Sequence, residues 1–183
     1  MESLDQDITL FLNGMYSDGF DTFFWYVSWK YTWFILGALL ITFLFVKRKP
    51  KETLWFLLAV VLMIVCADQL CNLVKHTVQR FRPCWDENIK DLVHVVNDDR
   101  GGKYGFFSAH SAVFFGLAYM TSKFFKNKYF TATIYVISVM VAYSRIYLGR
   151  HYVGDVLVGA VVGTLFAMLA WHIYNKYNKR VKQ

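Results

Sequence analysis

Eight residues of this chain are of types that together can handle a phosphate: Lys75, Arg82, Ser108, Ala109, His110, Arg145, His151 and Asp155. They lie in three short segments: Lys75 with Arg82-Pro83, Ser108-Ala109-His110, and Ser144-Arg145 followed by His151 and Asp155. His151 and Asp155 are four apart, on one face of any helix that begins there. At that spacing a carboxylate accepts from one imidazole nitrogen and leaves the other as a free lone pair, the form of a histidine nucleophile. The spacing suits equally an aspartate capping a helix start beside an incidental interfacial histidine. His110 opens an apolar run, where the unpaired backbone N–H groups of Ser108 and Ala109 would bind an anion. A histidine there suits a general acid for a leaving oxygen, although Ser108 also reads as a plain N-cap. Lys75, Arg82 and Arg145 supply the cations; arginine recognises phosphate through a planar fork, whereas lysine acts as a point charge. Pro83 disfavours helix just before it and so holds Arg82 on extended chain. Snorkelling toward headgroups accounts for any one of these cations. It does not account for two histidines and an aspartate beside them.

The elements that must position these residues are membrane helices. With 183 residues, 56% hydrophobic content and 2 prolines, the chain fits one domain over 1–183 and excludes a disordered or fibrous class. From Tyr31 to Val46 there are 16 residues without a charge, and comparable runs recur along the chain. A span needs about 20 largely apolar residues, so the shorter runs must borrow flanking positions. The spans expected are 22–46, 53–75, 107–125, 129–148 and 152–175. The fold class expected is an all-α integral membrane bundle of about five transmembrane helices plus an amino-terminal interfacial helix within 1–20. A soluble bundle is the alternative, but helices apolar all round would leave it no amphipathic outer layer. The start is acidic (Glu2, Asp5, Asp7) where a cleaved signal peptide would be basic. Leu4, Ile8, Phe11, Leu12 and Met15 recur at helical spacing, which suits a helix lying in the interface or packed against the bundle.

The net charge of +7 is concentrated in three clusters: Lys47, Arg48, Lys49 and Lys51; Lys123, Lys126 and Lys128; and Lys176, Lys179, Arg180 and Lys182. All fall on one face if the spans alternate, and an excess of Lys and Arg marks that face as cytoplasmic. The charge therefore reads as topology rather than as a nucleic-acid surface. Trp25, Tyr26, Trp29 and Trp33, with Trp171, Tyr174 and Tyr177, are placed for aromatic belts at the two interfaces. Three cysteines, Cys66, Cys71 and Cys84, build no disulfide framework. The connection 76–106 is too polar to span and is expected outside. With that topology Lys75, Ser108-His110, Arg145 and His151 all reach the outer face. Smaller expectations are close helix packing at Gly159 and Gly163, a packing role for Asp68, structural roles for His76 and His94, and snorkelling or headgroup contact for Arg80 and Arg150.

At these residues the chain resembles the type-2 phosphatidic acid phosphatase family. That family's pattern is Lys, six residues, Arg-Pro; then Pro-Ser-Gly-His; then Ser-Arg, five residues, His, three residues, Asp. Lys75 to Pro83 matches the first part, and Ser144-Arg145 through His151 to Asp155 matches the third without a gap; the resemblance covers roughly 53–175. The middle reads Phe107-Ser108-Ala109-His110, so the family's Pro and Gly are replaced. The resemblance implies that His151 forms a phosphohistidine, Asp155 orients it and His110 protonates the leaving group. It implies a cradle of Lys75, Arg82, Ser108, Ala109 (through its backbone N–H) and Arg145. No metal and no cofactor are implied. The expected partners are the bilayer and a lipid phosphomonoester or diphosphate: undecaprenyl diphosphate, phosphatidylglycerol phosphate, phosphatidic acid or, as an alternative, the phosphates of lipid A. The expected location is a bacterial inner membrane with the site facing the exterior. A non-catalytic lipid-phosphate binding or transport protein and a purely structural bundle are the readings from other classes.

Overall fold

The computed structural model describes residues 2–181, and local chemistry sets most of its helix boundaries. Met1 and Lys182, from the expected amino-terminal helix and the last cationic cluster, lie outside the described residues, as do the side chains of Glu2, Lys179 and Arg180. Seven α-helices follow in order: α1 Glu2–Asn13, α2 Asp18–Ser28, α3 Lys30–Lys47, α4 Pro50–Val78, α5 Ala109–Phe125, α6 Lys128–Tyr147 and α7 Val153–Val181. Pro50 sits at the first turn of α4, where its missing N–H costs nothing. The Asn127 side chain caps α6 by accepting from Tyr129 N and Phe130 N at 2.9 and 3.0 Å. Helix α4 stops where Gln79 turns left-handed and donates its N–H back to Lys75 O at 3.1 Å.

The first expected span, 22–46, is two helices. Trp29 adopts extended backbone between α2 and α3. The carbonyls freed there are taken up by side chains: Trp33 Nε1 donates to Val27 O at 2.6 Å and Thr32 Oγ1 to Tyr26 O at 3.0 Å. Helix α2 packs on α6 through Phe24, Val27, Val141 and Tyr147. Helix α3 is almost wholly exposed, with Phe34, Ile35, Leu39 and Val46 all above 60%. An apolar helix with so little of its surface covered by protein is a lipid-facing one.

Among the described residues four helices, α3, α4, α6 and α7, are long and apolar enough to cross a membrane. The third expected span, 107–125, is α5, which has 17 residues, or about 26 Å at 1.5 Å per residue against a hydrocarbon layer of about 30 Å. It is the central helix, packed between α4, α6 and α7. Its contact with α7 is the tightest in the bundle. A methyl added at Gly163 would fall inside the main chain of Ala112, and one at Gly159 would meet Ser108 O. In lipid, apolar side chains gain little by leaving their surroundings, so close backbone approach at small residues does much of the holding.

The cationic connections gather at one end. There Arg48 lies 5.4 Å over the Phe124 ring, and Tyr174 packs against Phe56 and Phe124. The long connection 79–108 and the short one 148–152 lie at the other end, the former organised by three single 3-10 turns. In it Cys84 Sγ donates to Arg100 O (3.4 Å) and Arg100 Nη1 returns a bond to Cys84 O (2.9 Å). The three cysteines are free.

Helix α1 is amphipathic in an unusual sense. Leu4 and Phe11 face outward at 61% and 66% exposure, while Thr9 and Asn13 are buried. Asn13 Nδ2 donates to Ile146 O and Tyr147 O, at 3.2 and 2.7 Å, and its Oδ1 accepts from His94 N at 2.7 Å. The apolar stripe is thus turned away from the bundle and the polar stripe is bonded to the α6–α7 corner.

Candidate active site

The corner that carries His151 is built by main-chain bonds. After α6 the N–H groups of Arg150 and His151 both donate to Arg145 O, at 3.0 and 3.1 Å. Gly149 makes this wrap possible: its φ is +65°, and a side chain there would strike Val93. Helix α7 then begins at Val153 with three caps. Val153 N donates to Thr9 Oγ1 at 3.1 Å, Gly154 N to Asp5 Oδ1 at 2.9 Å, and Tyr152 N to Asp155 Oδ2 at 3.1 Å. Asp155 is therefore a capping residue at the third position of the helix. It is also the neighbour of the imidazole, with Oδ2 lying 3.4 Å from His151 Nδ1. One carboxylate thus caps the helix start and lies beside the imidazole, whose buried Nδ1 makes no hydrogen bond.

His151 and Asp155 are 2% and 0% exposed. Burial, followed by the positive charges of Arg145, Arg82 and Lys75, holds the His151 imidazole well below its usual range. It is therefore neutral at pH 7. Because Nδ1 faces Asp155, Nε2 is the nitrogen left for chemistry.

Helix α5 starts against this corner. Ser108 Oγ accepts from Ser111 N at 3.3 Å, and Ser111 Oγ donates to Val156 O at 2.7 Å. Ser108 N, expected to be free, instead donates to Asp155 O at 3.0 Å. The open donors at this end are the next N–H groups, at Ala109 and His110, which precede the first intrahelical bond from Ala112 N to Ser108 O. Ala109 is the first residue of α5 with ordinary helical backbone. Glycine's access to positive φ is not needed there. Phe107 is buried against Ala67, Cys71 and Ala112, filling the floor below the site.

The cations close the ring around the two histidines. Lys75, Arg145, Arg150 and His151 all bear electrostatically on His110. Arg145 is 3% exposed; Nη1 contacts Ser28 Oγ, while Nε has no partner. A buried, unpaired guanidinium N–H is a donor waiting for an acceptor. Arg82 donates Nε to Tyr104 O at 3.2 Å, and its backbone N–H goes to Lys103 O at 3.0 Å. Burial lowers Arg82 below the usual arginine range, yet arginine remains cationic in proteins. Gly105 sits between Arg82 and Asp155; a methyl there would lie 3.0 Å from both side chains. A cleft of about 240 Å³ leads to His110 between Trp25, Trp29, Lys30, Asp99 and Arg150.

The structure thus brings all eight expected site residues to one end of the bundle, with Lys75 arriving from the last turn of α4. Of the residues outside this set, His94 is as expected, whereas Asp68, Arg150 and Arg80 behave differently. Asp68 is half-exposed and accepts from Asn72 at 3.1 Å rather than facing the interior. His94 is structural, stacked on Tyr16 and 2.9 Å from Asp21. Arg150 pairs with Asp99 instead of reaching outward. Arg80 joins Asp155 Oδ1 and Asp5 Oδ2 at 2.8 Å each, which neither snorkelling nor headgroup contact describes. Asp5, Thr9 and Asn13 form a polar stripe at i, i+4 and i+8, a signal present in the sequence on the face opposite the apolar one.

A family model of the PAP2 superfamily matches residues 52–179. The chain belongs to the PAP2 superfamily. A PAP2 relative from Porphyromonas gingivalis, a lipid A 4'-phosphatase, is 38% identical over 172 residues, covering 93% of this chain and 73% of that protein. Another lipid A 4'-phosphatase, from Bacteroides thetaiotaomicron, is 35% identical over 184 residues, covering 100% of this chain and 82% of its own length. The crystal structure of Aquifex aeolicus LpxE superposes with a TM-score of 0.70 at 24% identity, covering 91% of this chain and 93% of that one. The PAP2-type phosphatidylglycerolphosphate phosphatase of Bacillus subtilis gives 0.71 at 24%, covering 96% and 86%. The fold is that of these two PAP2 proteins. The protein is an integral membrane PAP2 phosphatase acting on lipid phosphates.

Proposed function

We propose that this PAP2 protein is a lipid A phosphatase that removes the 4'-phosphate through a phosphohistidine on His151. The observation that carries the chemistry is the buried His151, its Nδ1 3.4 Å from Asp155 and its ring in the field of Arg145, Arg82 and Lys75. The two relatives named for lipid A support this substrate over undecaprenyl diphosphate, phosphatidylglycerol phosphate or phosphatidic acid.

In the first step His151 Nε2 attacks phosphorus, the bond from phosphorus to the sugar oxygen breaks, and His110 gives that oxygen its proton. In the second step His110 takes a proton from water, which attacks the phosphohistidine and releases inorganic phosphate and free His151. Lys75, Arg82, Arg145, the Ser108 hydroxyl and the Ala109 N–H hold the equatorial oxygens, and they accelerate the reaction insofar as they favour the transition state over the ground state. The cleft beside Trp25 and Trp29 admits the headgroup while the acyl chains remain in the bilayer. One membrane-embedded domain carries all of this. Its site faces the exterior of a bacterial inner membrane, and the apolar stripe of α1 rests in the same interface.

Phosphate release by the purified protein from lipid A, phosphatidylglycerol phosphate and undecaprenyl diphosphate tests the reading. Lipid A is expected to be preferred, and turnover to be lost in His151→Ala and His110→Ala. Release from another lipid in preference to lipid A overturns the substrate, and turnover surviving in His151→Ala overturns the nucleophile.

A further inference from the structure

Asp155 has no exposure, and its histidine neighbour is neutral. A buried carboxylate without a cation is strongly unfavourable, so something other than His151 must hold this one. Arg80 does. Its Nη1 donates to Asp155 Oδ1 and its Nη2 to Asp5 Oδ2, each at 2.8 Å, and its guanidinium lies 4.1 Å over the Tyr152 ring. Each member of this group is itself fixed. Asp5 takes the Gly154 N–H at 2.9 Å, and Tyr152 donates its hydroxyl to Asp86 at 2.7 Å. Arg80 is therefore turned away from the phosphate cradle, with both arms of its fork on carboxylates.

We propose that Arg80 and Asp5 are positioning residues for the reaction, so that α1, which contributes no group to the cradle, is part of the catalytic apparatus. Arg80 keeps Asp155 ionised and fixes its rotamer, with Oδ2 toward His151. Asp5 anchors the second arm of Arg80 and, through Gly154, ties the same contact to the start of α7. This rests on the assignment of His151 as nucleophile. A residue acting through Asp155 affects the chemical step rather than the capture of phosphate.

The experiment is steady-state kinetics on lipid A with Arg80→Ala, Arg80→Lys and Asp5→Asn, with His151→Ala and Asp155→Asn as references. Arg80→Ala should lower kcat about 100-fold or more, the scale of a group on which acid–base or nucleophilic chemistry depends, with KM changed by less than about threefold. Methylguanidinium at millimolar concentration should restore part of the lost kcat in Arg80→Ala and none in Asp155→Asn. Asp5→Asn, which keeps the size of the side chain, should lower kcat about tenfold, consistent with loss of one charge-assisted bond. It stands as the test if Arg80→Ala does not fold. A rise in KM at unchanged kcat in Arg80→Ala makes Arg80 a headgroup contact and overturns the proposal. So does wild-type kcat in Arg80→Ala or Asp5→Asn while His151→Ala is inactive. Activity remaining in His151→Ala instead defeats the nucleophile assignment itself.

Discussion

Oδ2 of Asp155 accepts the Tyr152 N–H at 3.1 Å and lies 3.4 Å from Nδ1 of His151. One oxygen therefore both starts helix α7 and faces the imidazole, so the proposed catalytic role and local folding share an atom. Asp155→Asn keeps the volume and can still accept at the helix start, but it loses the charge. Turnover is expected to fall by about 10²–10⁴-fold, with little change in thermal unfolding. Asp155→Ala should lose both. Parallel phosphate-release and detergent-solubilised melting assays separate the two functions.

The pH dependence follows from His151. Burial and three cations depress its affinity for protons. In the proposed mechanism the attacking form is neutral, so His151 is switched off only when pH falls through the depressed folded value, below the ordinary imidazole value of about 6.5. No acid limb due to His151 should appear in kcat/KM between pH 7.5 and 6.5. Stability has the corresponding sign. The unfolded chain takes up a proton near pH 6.5 while the folded one does not, so stability declines as pH drops below that point. A kcat/KM profile that falls on acidification with a midpoint at 6.5 or above would overturn the depressed, neutral His151 as the attacking group.

Arg145 offers a second test because its Nε is buried without a partner. Arg145→Lys keeps the charge but not the fork. Losing one hydrogen bond to a charged group, about 1.5–3 kcal/mol, corresponds to a loss of roughly 10- to 150-fold in kcat/KM. Equal activity of the lysine variant would mean that Arg145 acts only through its charge.

Topology is checked by reporter fusions after residues 49, 90 and 127. Cytoplasmic signals are expected at 49 and 127, where the cationic connections lie, and an external signal at 90. A cytoplasmic signal at 90 would put the site on the wrong face for the proposed lipid.

Gly163→Ala should destabilise the protein by about 1–3 kcal/mol or more, the range for overpacking a tight interior. The melting temperature in detergent measures this. An unchanged value would mean that α5 and α7 separate easily.

Much of the site was legible because its chemistry needs particular atoms at long fixed spacing. Lys75 to Arg82 and Arg145 through His151 to Asp155 announce themselves in this way. The apolar helices were legible from charge-free runs, but the break at Trp29, which makes two helices of one expected span, was not. Neither glycine nor proline marks it, and the groups that satisfy it, Thr32 and Trp33, are ordinary members of an apolar span. The role of Arg80 was hidden because its partners lie 75 residues away in each direction. The Asp5, Thr9, Asn13 stripe was visible but was masked by the apolar stripe on the other face of α1. Hydrophobic periodicity locates a buried face only when water is the alternative solvent; beside a bilayer the polar face is the one that turns inward.

The contact at Gly163 has a consequence for how this family can drift. Most tight contacts join two side chains, so a larger residue at one position is tolerated after a smaller one at the other, and the two vary together. Here the obstacle to a methyl at 163 is the oxygen, carbonyl carbon and Cα of residue 112. Those atoms are the same whatever amino acid occupies that position. No substitution at 112 can make room, so the glycine should show no compensating partner there, and a chain that loses it must move a helix rather than exchange a residue.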